Sequence, residues 1–195
     1  MNASDLLSIA SGIAVGFGFI PYIVATVKKT TKPNVATWAI WASLDTLVLL
    51  GMIQTETVNG QLVVSVAGAW VVTVLAIIYG TTTWTWVETV CSIGCVIGAI
   101  AWQMTADPLV AIWTGTCLIV VGAVPTFLHG WKKPEEENRW AWLLYFIGCV
   151  LALLSLKEWT VASALQPISF TLIETTMLAM VWGLPWLRRR RKAPT

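Results

Sequence analysis

Charge is what this sequence has least of. Of its 195 residues only 11% are Asp, Glu, Lys or Arg, less than half of the about 25% found in a soluble domain. With 57% hydrophobic residues, the chain has too few polar side chains to cover a water-exposed surface, and a soluble domain is excluded. Histidine is nearly missing as well. The single one, His129, leaves no imidazole set for a catalytic metal, so no cofactor or metal is expected. No H-x-x-x-H, paired-Asp or Ser–His constellation occurs, which speaks against an integral-membrane enzyme. The four cysteines, Cys91, Cys95, Cys117 and Cys149, all fall in apolar runs, away from the oxidising water in which disulfides form. They are expected to be small packing residues. Residues 161–184 hold no lysine, so the retinal Schiff base of a seven-helix rhodopsin has no place to form.

What is present is a succession of apolar runs of a length that crosses a roughly 30 Å hydrocarbon core as helices. Seven are read, near 5–27, 35–53, 61–79, 85–104, 108–129, 140–156 and 161–184. The expected fold class is therefore all-α integral membrane. The first run is too long for the apolar region of a signal peptide and lacks basic residues before it, so no cleavable signal is expected.

Basic residues favour the cytoplasmic side of short loops. Lys28, Lys29 and Lys32 follow the first run, Lys132, Lys133 and Arg139 follow the fifth, and Arg188 to Lys192 form the tail. With seven crossings, eleven of the twelve Lys and Arg lie on one side and only Lys157 opposite. The expectation is a cell's inner membrane, N-terminus outside and C-terminus cytoplasmic. The tail reads as an anchor on anionic lipid rather than a nucleic-acid patch. The lipid bilayer is thus the expected partner, with no nucleic acid; a homo-oligomer is compatible with the plan.

The chain also says one thing twice. "IPYIVATVKKTTKPNVATWAIW" at 20–41 and "VPTFLHGWKKPEEENRWAWLLY" at 124–145 share a proline, a Lys-Lys pair, an asparagine and a tryptophan at one offset of 104. The ungapped matches include Gly18/Gly122, Pro21/Pro125, Lys28/Lys132, Lys29/Lys133, Asn34/Asn138 and Trp38/Trp142. The spacing implies a duplicated three-helix unit: 1–82 as the first repeat, 83–106 as a linker helix, 107–187 as the second repeat and 188–195 as a basic tail. Three helices reverse the chain, so one extra crossing is needed to keep the second copy parallel to the first. Parallel repeats of this kind are a recurring plan of transporters, with the site at their interface.

A 3+1+3 chain with its N-terminus outside and a proline near the inner third of spans 1 and 5 resembles the SWEET and PQ-loop transporters. The family's Pro-Gln pair reads Pro21-Tyr22 and Pro125-Thr126 here, and the asparagines that SWEET proteins place in spans 3 and 7 are absent. The resemblance implies fold and transport more than sugar as substrate.

Candidate site residues follow from span 2, "ATWAIWASLDTLVLL". Trp38, Trp41 and Asp45 stand at i, i+3 and i+7 on one helix face, and the offset places Trp142, Tyr145 and Cys149 at equivalent positions. A carboxylate about ten residues into a span is expensive in hydrocarbon and faces a cavity or a partner. Glu174 is the other deep acid, with Trp70 as its offset partner. Trp38, Trp41, Trp70, Trp142 and Tyr145 are expected to form an aromatic box with Asp45 and Glu174 as its acids. Such a box suits a small-molecule substrate that is sugar-like and neutral, or cationic and held by aromatic faces; alternatively one of the acids carries a proton, as desolvation favours the neutral carboxyl, and the transport is proton-coupled. Pro21 and Pro125, which break backbone hydrogen bonds within their helices, are expected to act as hinges of an inner gate. Glu88, near a span start, reads as interfacial, and His129 as locally structural. Competing readings are a carrier resembling the nicotinamide riboside type, for which "WAIW" supplies the Trp-x-x-Trp pattern, and a non-transporting receptor or sorting protein like the KDEL receptor.

Overall fold

The computed structural model describes residues 2–186. The basic run from Arg188 to Lys192 lies outside the described residues. Among those described the chain is all-helical, without a strand. Helices α1 (Ala3–Val27), α2 (Val35–Gln54), α3 (Gly60–Tyr79) and α4 (Trp86–Thr105) lead to α5 (Pro108–Gly122) and α6 (Val124–Lys132). Then come α7 (Arg139–Leu154) and α8 (Val161–Leu178), which continues into a π turn, Ala179–Gly183.

Six segments are long and apolar enough to cross a membrane: α1, α2, α3, α4, α5 with α6, and α8 with its extension. Helix α7 is apolar but shorter, at 16 residues, or about 24 Å at 1.5 Å per residue. The outward faces carry Ile13, Phe17, Ile77, Ile97, Met104 and Leu172, each more than half exposed. Water does not tolerate such a continuous apolar coat on a monomer; the chain is an integral membrane protein.

Local chemistry explains where the helices begin. The first four backbone N–H groups of a helix need acceptors from outside it. Asn34 Oδ1 accepts from the Ala36 and Thr37 amides at 2.9 and 3.2 Å, and Asn138 Oδ1 accepts from the Trp140 and Ala141 amides at 3.1 Å each. The repeated asparagine is thus a repeated helix cap, with about 1 kcal/mol at stake in each. Asn59, Asp107 and Thr160 cap α3, α5 and α8 in the same way.

The span expected at 108–129 is one run but two helices. It breaks at Ala123, and Pro125 lies in the first turn of α6. Proline has no N–H to offer the preceding turn, and its ring crowds the carbonyl four residues back. Pro21, by contrast, sits inside a helix that runs unbroken from Ala3 to Val27. The two prolines therefore do not have the same local effect.

The helices form a ring. Helix α1 packs on α3 and α7, α3 also on α2, α2 on α5, α5 on α8, and α8 on α7, which closes the circle; α4 lies outside against α5 and α2. Between apolar helices in lipid there is little hydrophobic drive, so close van der Waals approach at small residues decides the packing. On α7, a Cβ at Gly148 would lie 2.5 Å from Val15 Cγ2 and 3.0 Å from the Ser11 carbonyl of α1. On α5, a Cβ at Gly115 would lie 2.5 Å from Val48 Cγ2 and 3.1 Å from the Leu44 carbonyl of α2. Gly60 is tighter still: its amide donates to Ser8 Oγ at 2.8 Å, and a Cβ there would collide with the Ser8 carbonyl oxygen.

Gly60→Ala is expected to force α1 and α3 apart and to cost about 1–3 kcal/mol, the usual range for overpacking. Gly183→Ala, at a position with nothing within 4 Å of the added atom, serves as the control. Thermal unfolding of both variants in detergent checks this; equal melting temperatures would remove the crossing from any role in stability.

Candidate functional site: an aromatic and acidic cavity

The ring encloses a cavity of about 650 Å³, large enough for a metabolite-sized solute. Helical periodicity decides which side chains reach it. On α2 these are Thr37, Trp38, Trp41 and Asp45; on α7 they are Ala141, Trp142, Tyr145 and Cys149, the same register 104 residues later. Phe19 and Tyr22 come from α1, Gln61, Ser65 and Ala69 from α3, and Phe170, Ile173 and Glu174 from α8. Of the expected site residues, the fold brings together Trp38, Trp41, Asp45, Trp142, Tyr145 and Glu174, with Pro21 on the same wall.

Two expected residues are placed elsewhere. Trp70 is 42% exposed, and its indole donates to Thr46 Oγ1 at 3.1 Å on the outer side of the bundle. The cavity-facing residues of α3 run Gln61, Ser65, Ala69 in steps of four, so the residue after Ala69 points about 100° away. The aromatic box therefore lacks Trp70. Pro125 is exposed and does not line the cavity, though its neighbours Ala123 and Thr126 do.

The aromatic wall is continuous. Tyr22 and Trp38 rings are 5.1 Å apart, Trp38 and Trp41 6.0 Å, Phe19 and Tyr145 5.4 Å, and Trp142 and Tyr145 6.0 Å. Two of the indole donors are already used, Trp38 Nε1 on the Tyr22 hydroxyl at 3.2 Å and Trp142 Nε1 on Glu137 at 2.9 Å. Glycines make room for the rings. A Cβ at Gly18 would meet Tyr145 at 2.5 Å, and one at Gly122 would meet Trp41 Nε1 at 2.9 Å.

Three carboxylates are buried among the spans, and they differ in kind. Glu88, 7% exposed, accepts from the Thr85 amide at 2.7 Å and from Thr37 Oγ1 at 2.8 Å, and also from Thr85 Oγ1. It caps α4 and ties it to α2, a structural role beyond the interfacial one expected. Asp45 and Glu174, 7% and 8% exposed, accept no hydrogen bond from the described residues, and Glu174 Oε2 is a fully buried oxygen without a partner.

The cavity is sealed at one end and open at the other. Asn59 Nδ2 donates to Gln166 Oε1 at 3.0 Å, Gln166 Nε2 to Gln61 Oε1 at 2.7 Å, and Gln61 Nε2 to Ser65 Oγ at 3.3 Å. This buried amide chain joins α3 to α8, and Lys157 pairs with Asp5 at 2.9 Å on the same end. No repeat or motif pointed to the amides; their signal was only glutamine inside an apolar run. At the other end the lining reaches Thr31, His129, Glu136, Glu137 and Asn138. His129 Nε2 lies 3.4 Å from Glu136 and 3.9 Å from Glu137. The hydrogen bond from Lys133, and its charge, hold the exposed Glu136 carboxyl below its usual range, a contact that salt screens.

No protein-family model matches the chain, and no curated protein or solved structure matches it either.

Gln166→Leu keeps the volume but strips two partners at once, leaving Asn59 Nδ2 and Gln61 Oε1 buried and unpaired. Each such orphan costs about 1–3 kcal/mol. The variant should melt well below the parent, and a cysteine placed at Ser65 should become reactive to a membrane-impermeant thiol reagent from the sealed side. Unchanged labelling from that side would mean that the amides do not seal the cavity.

Proposed function

We propose that the chain is a small-solute transporter of the alternating-access type, a divergent relative of the SWEET and PQ-loop transporters, in which α1–α3 and α5–α8 are parallel repeats joined by α4. The observation that carries this reading is a solute-sized cavity inside a membrane bundle, sealed at one end by polar side chains and open at the other. A permanent channel would need both ends open, and a structural helix bundle needs no cavity. A buried amide chain that links two different helices is a bond that can be made or lost as a unit.

Support for the duplication comes from contacts as well as identities. Gly18 receives the ring of Tyr145, and Gly122 receives the ring of Trp41; glycines and aromatics are each 104 apart. Gly148 meets Ser11 and Gly115 meets Leu44, again residues 104 apart in each exchange. Cavity-lining pairs at that spacing include Val15/Ile119, Phe19/Ala123, Tyr22/Thr126, Trp38/Trp142, Trp41/Tyr145 and Ala69/Ile173. Such reciprocity is what a two-fold axis along the membrane normal produces.

With basic loops on the cytoplasmic side, the open end faces inward and the amide seal outward. Pro21, on the cavity wall, and Pro125, beside the break at Ala123, are the hinge candidates. A carrier of the nicotinamide riboside type draws on one observation, the Trp38-x-x-Trp41 pair on the cavity wall.

In a background without the native cysteines, Asn59→Cys and Gln166→Cys bridged by a short bifunctional thiol reagent should lock the outer seal. Flux of a bound solute into proteoliposomes is expected to fall to the background of empty vesicles, while binding from the open side persists. Flux that survives complete cross-linking would rule out alternation through this seal.

A further inference from the structure

We propose that the cavity is a selective site for a monovalent organic cation, an amine or quaternary ammonium with an apolar body and no anionic group, held in the field of Asp45 and Glu174. This rests on the reading of the cavity as a solute path and names the solute's chemistry.

The argument starts from how this chain treats a buried acid it does not use. Glu88 is given three donors. Asp45 and Glu174 are given none, although hydroxyls stand close in sequence to both. Thr46 donates to the Ala42 carbonyl at 2.6 Å, and Thr171 and Thr175 donate to Pro167 and Thr171 carbonyls at 2.6 Å each. The nearby hydroxyls are spent on their own helices. An orphan carboxylate in a low-dielectric interior is costly, and two of them on one cavity repel each other.

The bases do not answer this demand. No lysine or arginine lines the cavity among the described residues. Arg139 lies over the Trp182 ring at 5.3 Å, Lys29 over the Tyr79 ring at 5.7 Å, and Lys133 is bonded to Glu136 at 2.7 Å. The compensating positive charge therefore comes from outside the chain, a proton in the empty cavity and a cationic solute in the occupied one. At the mouth the lining carries Glu136 and Glu137, the first already paired with Lys133 at 2.7 Å and both near His129.

Ring faces complete the site. Trp38, Trp41, Trp142 and Tyr145 line the same space as the acids, and two of the three indole donors are already engaged. Aromatic faces attract a cation, and do so most strongly when it is desolvated. A sugar's hydroxyls can hydrogen-bond the two carboxylates but leave their charge uncompensated. An amino acid or other zwitterion would bring a carboxylate with no base to receive it.

The test uses matched probes on the full-length protein in nanodiscs. Choline is compared with 3,3-dimethyl-1-butanol, its uncharged carbon isostere, alongside tetramethylammonium, phenyltrimethylammonium, benzylamine, glucose and glycine betaine, by calorimetry and by flux into proteoliposomes. At least one of the cations should bind about tenfold or more tightly than choline's neutral isostere, glucose and the zwitterion. Asp45→Asn and Glu174→Gln keep shape and should each weaken that cation about tenfold or more, while leaving the isostere within about twofold. The unchanged isostere also shows that the variants are folded. If no cation exceeds the neutral probes, or if both substitutions leave cation affinity unchanged, the proposal is wrong. Glucose binding and flux without cation preference would overturn the cation site and leave the transporter reading standing. Carboxylate-dependent cation binding without flux would uphold the site and overturn the transporter.

Discussion

The bundle depends on helices approaching closely where the solvent gives them no reason to. In water, apolar faces associate because burial releases about 25 cal/mol per Å²; in lipid that term largely vanishes, and contact must come from fit. The fit here lies at glycines. Gly60 lets α3 touch the backbone of α1, Gly148 lets α7 touch the same helix, and Gly115 lets α5 touch α2. These crossings set how far apart the ring's walls stand. Where the facing residues are large instead of small, as with Trp38, Trp41, Trp142 and Tyr145, the walls are held open, and the cavity is what remains.

Within that frame the polar side chains sort by what they lack. The amides of Asn59, Gln61 and Gln166 are 0–2% exposed and hydrogen-bonded to each other. A satisfied amide contributes about 1 kcal/mol net, but an orphaned one costs more than that, so the chain tends to hold or release as a whole. Glu88 is likewise satisfied and belongs to the scaffold. Asp45 and Glu174 stand apart, since among the described residues they are the buried acids on the cavity that accept no hydrogen bond. In a membrane protein that is the usual mark of a functional group.

Much of the fold was legible in the sequence because the bilayer imposes a length. Seven apolar runs gave seven helical segments, and the repeated asparagines marked helix starts whose capping geometry matches residue for residue. Most of the site was legible from one helix face, since Trp38, Trp41 and Asp45 could not share a face without reaching the same space. Trp70 was misplaced because the offset equates positions, not directions: Glu174 faces the cavity, while its counterpart is turned outward beside Thr46. The break at Ala123 was hidden in an unbroken apolar run, because whether a proline kinks a helix or ends it is set by the neighbouring turn. The amide seal was invisible for another reason. Gln61 and Gln166 find each other across α3 and α8, and no pattern along the chain encodes that meeting.

The inferred duplication and the inferred chemistry pull in opposite directions, and both are needed. A two-fold scaffold gives two halves that can rock about a shared centre, and the paired glycines and rings keep that symmetry. The acids break it. Asp45 has Cys149 as its counterpart, and Glu174 has Trp70, so each half brings one carboxylate from a different helix, α2 in the first and α8 in the second. Strict symmetry at both positions would place two more carboxylates in the protein or leave none. Two more would add repulsion that one monovalent solute cannot offset; none would leave an aromatic pocket without preference for charge. In a transporter of the proposed kind, one acid from each half would tie the cavity's negative field to both moving parts. A cation held there would lose a partner if either half withdrew, which would link occupancy to the position of the halves without any added device.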